Sequence, residues 1–212
     1  MKRISAVLIA VLFVALSVEA KVDLPSVFGD NMVLQRNAPV AFWGTASPSS
    51  KVTIRPSWDK SKVIVESDAD GKWFARVQTP EAGGPYTVTV SDGEKLVMDN
   101  VLIGEVWFCS GQSNMEMMVK GSKGQPVNGG IDAVLDAKPE TPIRMLNVRK
   151  CVSAAPKDDC DAIWLEHTQD AVANTSAVAY FFARDLYRAL NIPIGIIVSA
   201  WGGTLIEPWM SR

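Results

Sequence analysis

Gly111-Gln112-Ser113-Asn114-Met115 directly follows the apolar run at 101–109. A buried strand that ends in a turn of small residues presents one side chain at the carboxyl edge of a sheet, where open α/β sheets bind ligands. Ser113 at that edge reads as a nucleophile on a sharp turn, with its own N–H free for an oxyanion. The competing reading is a plain polar loop, because the local pattern is not Gly-x-Ser-x-Gly.

A second corner bears on that choice. The near-continuous apolar run 194–199 has the composition of a strand buried on both faces. It leads into Ala200-Trp201-Gly202-Gly203-Thr204. Two glycines there let backbone N–H groups approach a ligand without Cβ hindrance. If both runs lie in one parallel sheet, right-handed crossovers bring both corners to the same edge. Ser113 and the Gly202-Gly203 backbone would then face a common cleft.

The elements that must position these corners fall into two kinds. Residues 31–100 read as short strands at 32–35, 40–43, 51–55, 63–66, 73–78, 86–90 and 95–98. Asp70-Gly71, Gly83-Gly84-Pro85 and Asp92-Gly93 separate several of them. Short strands with no helical stretch predict an all-β sandwich over 21–100, more in keeping with a packing module than a sugar-binding one. From about Val101, strands alternate with helix-like segments, the pattern of α/β folds. A strand is predicted at 143–148 and a helix at 176–190. The helix would bury Val178, Phe181, Phe182, Leu186 and Leu190 and stop at Asn191 and Pro193.

Residues 1–20 read as a signal peptide: Lys2 and Arg3, an apolar stretch at 4–16, then Val18-Glu19-Ala20 before cleavage near Lys21. The run is short for a membrane span, so the protein is expected to be exported, to the periplasm or beyond, with no membrane association after cleavage. A formal net charge of −2, without a basic cluster, gives no footprint for nucleic acid. Of three cysteines, Cys109 reads as buried packing, while Cys151 and Cys160 flank a loop and leave a disulfide open. The sole histidine, His167, reads as a surface-loop residue rather than a general base. Arg144, Arg149 and Arg212 are conceivable partners for a substrate carboxylate, each weighed against a solvated surface charge. Trp58 is a conceivable sugar-stacking residue, weighed against a core position.

Gly104-Glu-Val-Trp-Phe-Cys-Ser-Gly-Gln-Ser-Asn-Met115 and Ser199-Ala-Trp-Gly-Gly-Thr204 resemble the sialate O-acetylesterases, a branch of the SGNH hydrolases. Leu24-Pro-Ser-Val-Phe-Gly-Asp-Asn-Met-Val-Leu-Gln35 resembles the start of those proteins. The resemblance implies a flavodoxin-like, three-layer parallel-sheet hydrolase domain, incomplete over 101–212. It implies a metal- and cofactor-independent esterase for O-acetylated sugars, with Ser113 as nucleophile and an acetyl-Ser intermediate. Ser113 and one of Gly202 and Gly203, by preference Gly203, would supply oxyanion N–H groups. The family's Asn block and Asp-x-x-His motif are not in residues 1–212, so a truncated chain of weak or no activity is expected. The alternatives are an acetyl-xylan type of esterase and a non-catalytic glycan-binding protein.

Overall fold

A computed structural model describes residues 22–210. Ten strands and four α-helices follow one another in it. The strands are β1 (Val33–Gln35), β2 (Pro39–Thr45), β3 (Lys51–Pro56), β4 (Val63–Glu66), β5 (Lys72–Gln78), β6 (Gly83–Ser91), β7 (Lys95–Gly111), β8 (Ile143–Asn147), β9 (Trp164–Leu165) and β10 (Ile194–Ala200). The helices are α1 (Ser113–Glu116), α2 (Gly130–Leu135), α3 (Gln169–Asn174) and α4 (Ala177–Leu190). The predicted signal peptide at 1–20 lies outside the described residues, and so does Arg212. No helix among the described residues is long and apolar enough to cross a membrane.

The chain is α/β in character, with one mixed sheet in the order β4-β3-β6-β7-β10-β8-β9; β1 also pairs with β7, and β2 and β5 form a separate antiparallel ribbon. The strands expected at 95–98 and 101–109 are one 17-residue strand. Its first part pairs antiparallel with β6. Leu102–Gly104 pairs parallel with β1, and Glu105–Gly111 pairs parallel with β10. A single strand therefore joins the antiparallel wing to the parallel centre.

Alternation builds the wing. In β5, Trp73, Ala75 and Val77 point inward while Lys72, Phe74, Arg76 and Gln78 point out. They pack with Phe42, Val52, Ile54, Val88, Val90 and Met98 in one core. Each large apolar side chain removed from water there contributes about 1.5–3 kcal/mol. A second core lies under α4, around Ile143, Met145, Ile194 and Ile196. Trp164 ties the wing to the parallel part by donating its indole N–H to the Val27 carbonyl at 2.9 Å.

The helix predicted at 176–190 is α4, capped by the Ser176 hydroxyl, which accepts from the Ala179 N–H at 3.2 Å. Asn191 takes the left-handed conformation at its end (φ 52°). Its buried face differs from the expected one. Ala177, Ala179, Tyr180 and Ala183 are buried, whereas Val178, Phe182 and Leu190 are exposed. Small residues let the helix lie close to the sheet, and Phe182 packs edge-on against Trp107 at 5.0 Å at the flank. Apolar spacing alone overweighted the large side chains.

Candidate active site

β7 and β10 are neighbours in the parallel sheet, with Ser110 opposite Ser199 and Gly111 opposite Ala200. Both corners therefore leave the same edge from adjacent strands. The Trp201 N–H donates to the Gly111 carbonyl at 3.0 Å and stitches them together. Gly111 turns the chain at φ +152°, a conformation favouring glycine. Ser113 then starts the single turn of α1, exposed, with its Oγ 3.4 Å from the Gln112 Oε1.

Gly202 lies hard against this turn. A Cβ there would sit 3.4 Å from the Ser113 Cα and 2.6 Å from the Glu116 carboxylate. Gly203 has φ +79° and open space around it. The Gly202 N–H donates to Glu116 Oε2. The N–H groups of Ser113 and Gly203 have no acceptor among the described residues. Thr204 donates from its hydroxyl to the Trp201 carbonyl at 2.8 Å and accepts from the Trp209 indole at 2.9 Å, which folds the loop onto itself.

Glu116 and Lys150 are the residues that sequence reasoning missed. Glu116 Oε1 is paired with Lys150 Nζ, and Lys150 also lies over the Trp201 ring at 5.6 Å. The Lys150 hydrogen bond, followed by that of the Gly202 amide, holds the Glu116 carboxyl below the usual range. The position of Glu116, three residues after Ser113 in one helical turn, was an available signal. Lys150 gave none, because it arrives from a loop. A cleft of about 1280 Å³ opens beside the corner, walled by Arg149, Lys150, Cys151, Ala200, Trp201 and Trp209. Ser113 is not in its wall; the Lys150–Glu116–Gly202 chain connects the two. The thiols of Cys151 and Cys160 are both free.

His167 is not a surface residue. It is 4% exposed, with Nε2 3.1 Å from the Tyr180 hydroxyl and Nδ1 3.2 Å from the Lys138 backbone. Both ring nitrogens are engaged away from Ser113, which excludes the ring as its base in this arrangement. Burial, chiefly, lowers its pKa. A lowered folded pKa means that its contribution to stability is complete above the unfolded value of about 6.5 and is lost as pH falls below it. Denaturation of the wild type should therefore show declining stability from pH 7 towards 5. In His167→Gln that decline should shrink, at a cost of about 1–3 kcal/mol at pH 8; an unchanged pH profile would contradict the assignment.

Arg144 is also buried rather than solvated, 5% exposed, and pairs with Glu166 at 3.2 Å. The same Glu166 oxygen accepts from the Asn100 amide at 2.9 Å. Burial pushes the guanidinium pKa down, and Glu166 pulls it back up. The pair is unequal, because Glu166 remains 38% exposed at its side chain and Arg144 only 6%. Glu166→Ala strands a buried cation and should cost roughly 2–4 kcal/mol, whereas Arg144→Met leaves a hydrated carboxylate and should cost less. Urea titrations of the two variants check that order.

Arg149 is exposed and pairs with Asp161 at 3.2 Å. Trp58 is half-buried, donates to the Gln78 carbonyl at 3.2 Å and packs on Tyr86, as a core-edge residue does. The exposed aromatics of the wing are instead Trp43 and Phe74, directly opposed across β2 and β5.

No family model matches the chain. It is 33% identical over 205 residues to the sialate O-acetylesterase of Pongo abelii, covering 88% of this chain and 38% of that one. It is 32% identical over 205 residues to the Homo sapiens protein of that name, with the same coverage. Its fold matches the crystal structure of a carbohydrate acetylesterase from Xanthomonas citri with a TM-score of 0.81 and 35% identity, covering 90% of this chain and 43% of that one. With its Ser113 and Gly202-Gly203 corners on adjacent strands, the chain is a homologue of the sialate O-acetylesterases over most of its own length, and it spans 38% of the length of the first of these relatives.

Proposed function

We propose that this chain carries the nucleophile and oxyanion corners of a carbohydrate O-acetylesterase. Ser113 Oγ attacks the acetyl carbonyl, and the sugar hydroxyl leaves with a proton to give acetyl-Ser113. Water then releases acetate and regenerates the serine. The Ser113 and Gly203 N–H groups bind the oxyanion, with Gly202 as the neighbouring candidate. One observation carries the reading: Gly202 lies against the Ser113 turn, with a Cβ position 3.4 Å from the Ser113 Cα. His167 does not serve as base here, and the Asp-x-x-His implied by the resemblance has no counterpart in residues 1–212.

The favoured substrate is an O-acetylated sialic acid, supported by the names of the relatives. Acetylated xylan is the second candidate; the broader name of the Xanthomonas citri protein leaves room for another sugar. The organisation that goes with this reading is a signal peptide at 1–20, a β-sandwich module at 21–100 and a flavodoxin-like SGNH unit at 101–212. Export to the periplasm or outside the cell follows from residues 1–20; the amino terminus of exported protein should then lie near Lys21. Acetate release is to be measured on O-acetylated sialic acid and on acetylated xylo-oligosaccharides. Preference for the first supports the sialate reading, and preference for the second reassigns the sugar. Binding of either without release, even where the Asp-x-x-His implied by the resemblance is present, favours a glycan-binding protein.

A further inference from the structure

The Gly202 N–H, one of the two glycine donors at the corner, is already taken. Its acceptor is Glu116 Oε2, and the other oxygen of that carboxylate is held by Lys150 Nζ. The Ser113 and Gly203 N–H groups have no acceptor among the described residues. We infer that Glu116 is a positioning residue: braced by Lys150, it pins the Gly202 amide, holds the second corner against the Ser113 turn, and leaves the Ser113 and Gly203 N–H groups as the oxyanion donors. This rests on the esterase reading of the same site.

Three features converge on that role. Glu116 sits on the same helical turn as Ser113, so a bond from its carboxylate to Gly202 ties nucleophile and second corner through one side chain. Gly202 is the one glycine of the pair in close contact: a Cβ would stand 2.6 Å from the Glu116 oxygen, whereas Gly203 faces open space. Charge assistance makes such a bond shorter and stronger than a neutral one. Finally, Lys150 belongs to the cleft wall, so a sugar entering the cleft meets the cation that braces the latch. The carboxyl is held below the usual glutamate range, first by Lys150 and then by the Gly202 amide, so the latch stays closed at neutral pH.

The test is an NMR pH titration of the Gly202 amide in the whole chain, with Glu116→Gln and Lys150→Met alongside. In the wild type the Gly202 resonance should move with a midpoint below that of an ordinary glutamate. The movement should vanish in Glu116→Gln, and its midpoint should rise in Lys150→Met. A Gly202 resonance that ignores pH over the carboxylate range in the folded wild type overturns the inference, whatever the variants do. Acetate release, measured on a protein that also carries the Asp-x-x-His implied by the resemblance, supplies a second reading. Glu116→Ala should lower kcat roughly 10- to 100-fold, the scale of a displaced catalytic group, with KM changed less than about twofold. Glu116→Gln, which keeps an acceptor oxygen, should recover part of that loss. Equal losses in Ala and Gln, or a loss in KM alone, count against positioning. If the wild type titrates as expected but a protein that also carries the Asp-x-x-His implied by the resemblance releases no acetate, the esterase reading fails while the latch stands.

Discussion

Ser113→Ala, made in a protein that carries the Asp-x-x-His implied by the resemblance, is expected to reduce acetate release at least about a thousandfold while leaving the protein folded and still able to bind its sugar. The size follows from chemistry: without Oγ there is no atom to carry the acetyl group, and what remains is the contribution of the oxyanion donors and of binding. The lack of structural damage follows from the setting. Ser113 is exposed, and its hydroxyl makes one long contact, 3.4 Å, to a neighbouring side chain. Its backbone carbonyl, which accepts from the Met117 N–H at 3.1 Å, is untouched by the substitution. Stability should therefore stay within about 0.5 kcal/mol of the wild type. Acetate release, thermal unfolding and glycan binding, measured on the same preparations, separate the outcomes. Activity that survives in Ser113→Ala would move the nucleophile elsewhere. An equal loss of binding and release would point to a damaged cleft rather than to a missing nucleophile.

Much of the wing was legible because it is built by alternation. Lys72-Trp73-Phe74-Ala75-Arg76-Val77 announces a strand with one wet face, and the structure has that strand with Trp73, Ala75 and Val77 inside. The 63–66 strand was placed to the residue. Local pattern could not show that the strands expected at 95–98 and 101–109 are continuous. Asp99 and Asn100 fall between those two stretches; in the fold the Asp99 N–H donates to Asp30 and the Asn100 side-chain amide to Asn31 and Glu166. Those partners lie 66 to 69 residues away, beyond any local window. Burial of charge was equally hidden: nothing near Arg144 or His167 in the chain says that a helix and a loop will close over them. The two corners could be read because each is a local strand-to-turn transition. The link between them could not, since Glu116, Gly202 and Lys150 meet only once β7 and β10 lie side by side.

A large loss of stability is expected from Gly104→Ala, and it should reach the active-site corner as well. Gly104 is buried in β7 where three pieces of chain converge. Its carbonyl accepts from the Arg36 N–H at 2.8 Å, it pairs with Gln35 of β1, and Pro193 crosses directly over its α-carbon. A methyl group at Gly104 would lie 1.9 Å from the Pro193 carbonyl oxygen and 2.6 Å from its carbonyl carbon. That obstacle is backbone, so no side-chain rotation relieves it. The same Pro193 carbonyl accepts from the Glu105 N–H at 3.0 Å, the bond that starts the β7–β10 ladder. Gly104→Ala must therefore push the two strands apart at the point that sets their register, and should cost roughly 2–4 kcal/mol. Gly29→Ala is the matched control, because a Cβ there meets nothing within 4 Å; it should change stability by less than about 0.5 kcal/mol. Urea unfolding of the two variants gives the comparison, and a Gly104→Ala cost as small as that of the control would refute the close approach. Because the ladder carries Ser110 opposite Ser199 and Gly111 opposite Ala200, a disturbance at its start shifts Gly202 relative to Ser113. In whatever fraction of Gly104→Ala remains folded, the Gly202 amide resonance should accordingly move less as Glu116 titrates than in the wild type, so packing at the sheet centre and geometry at its edge are one property of the same pair of strands.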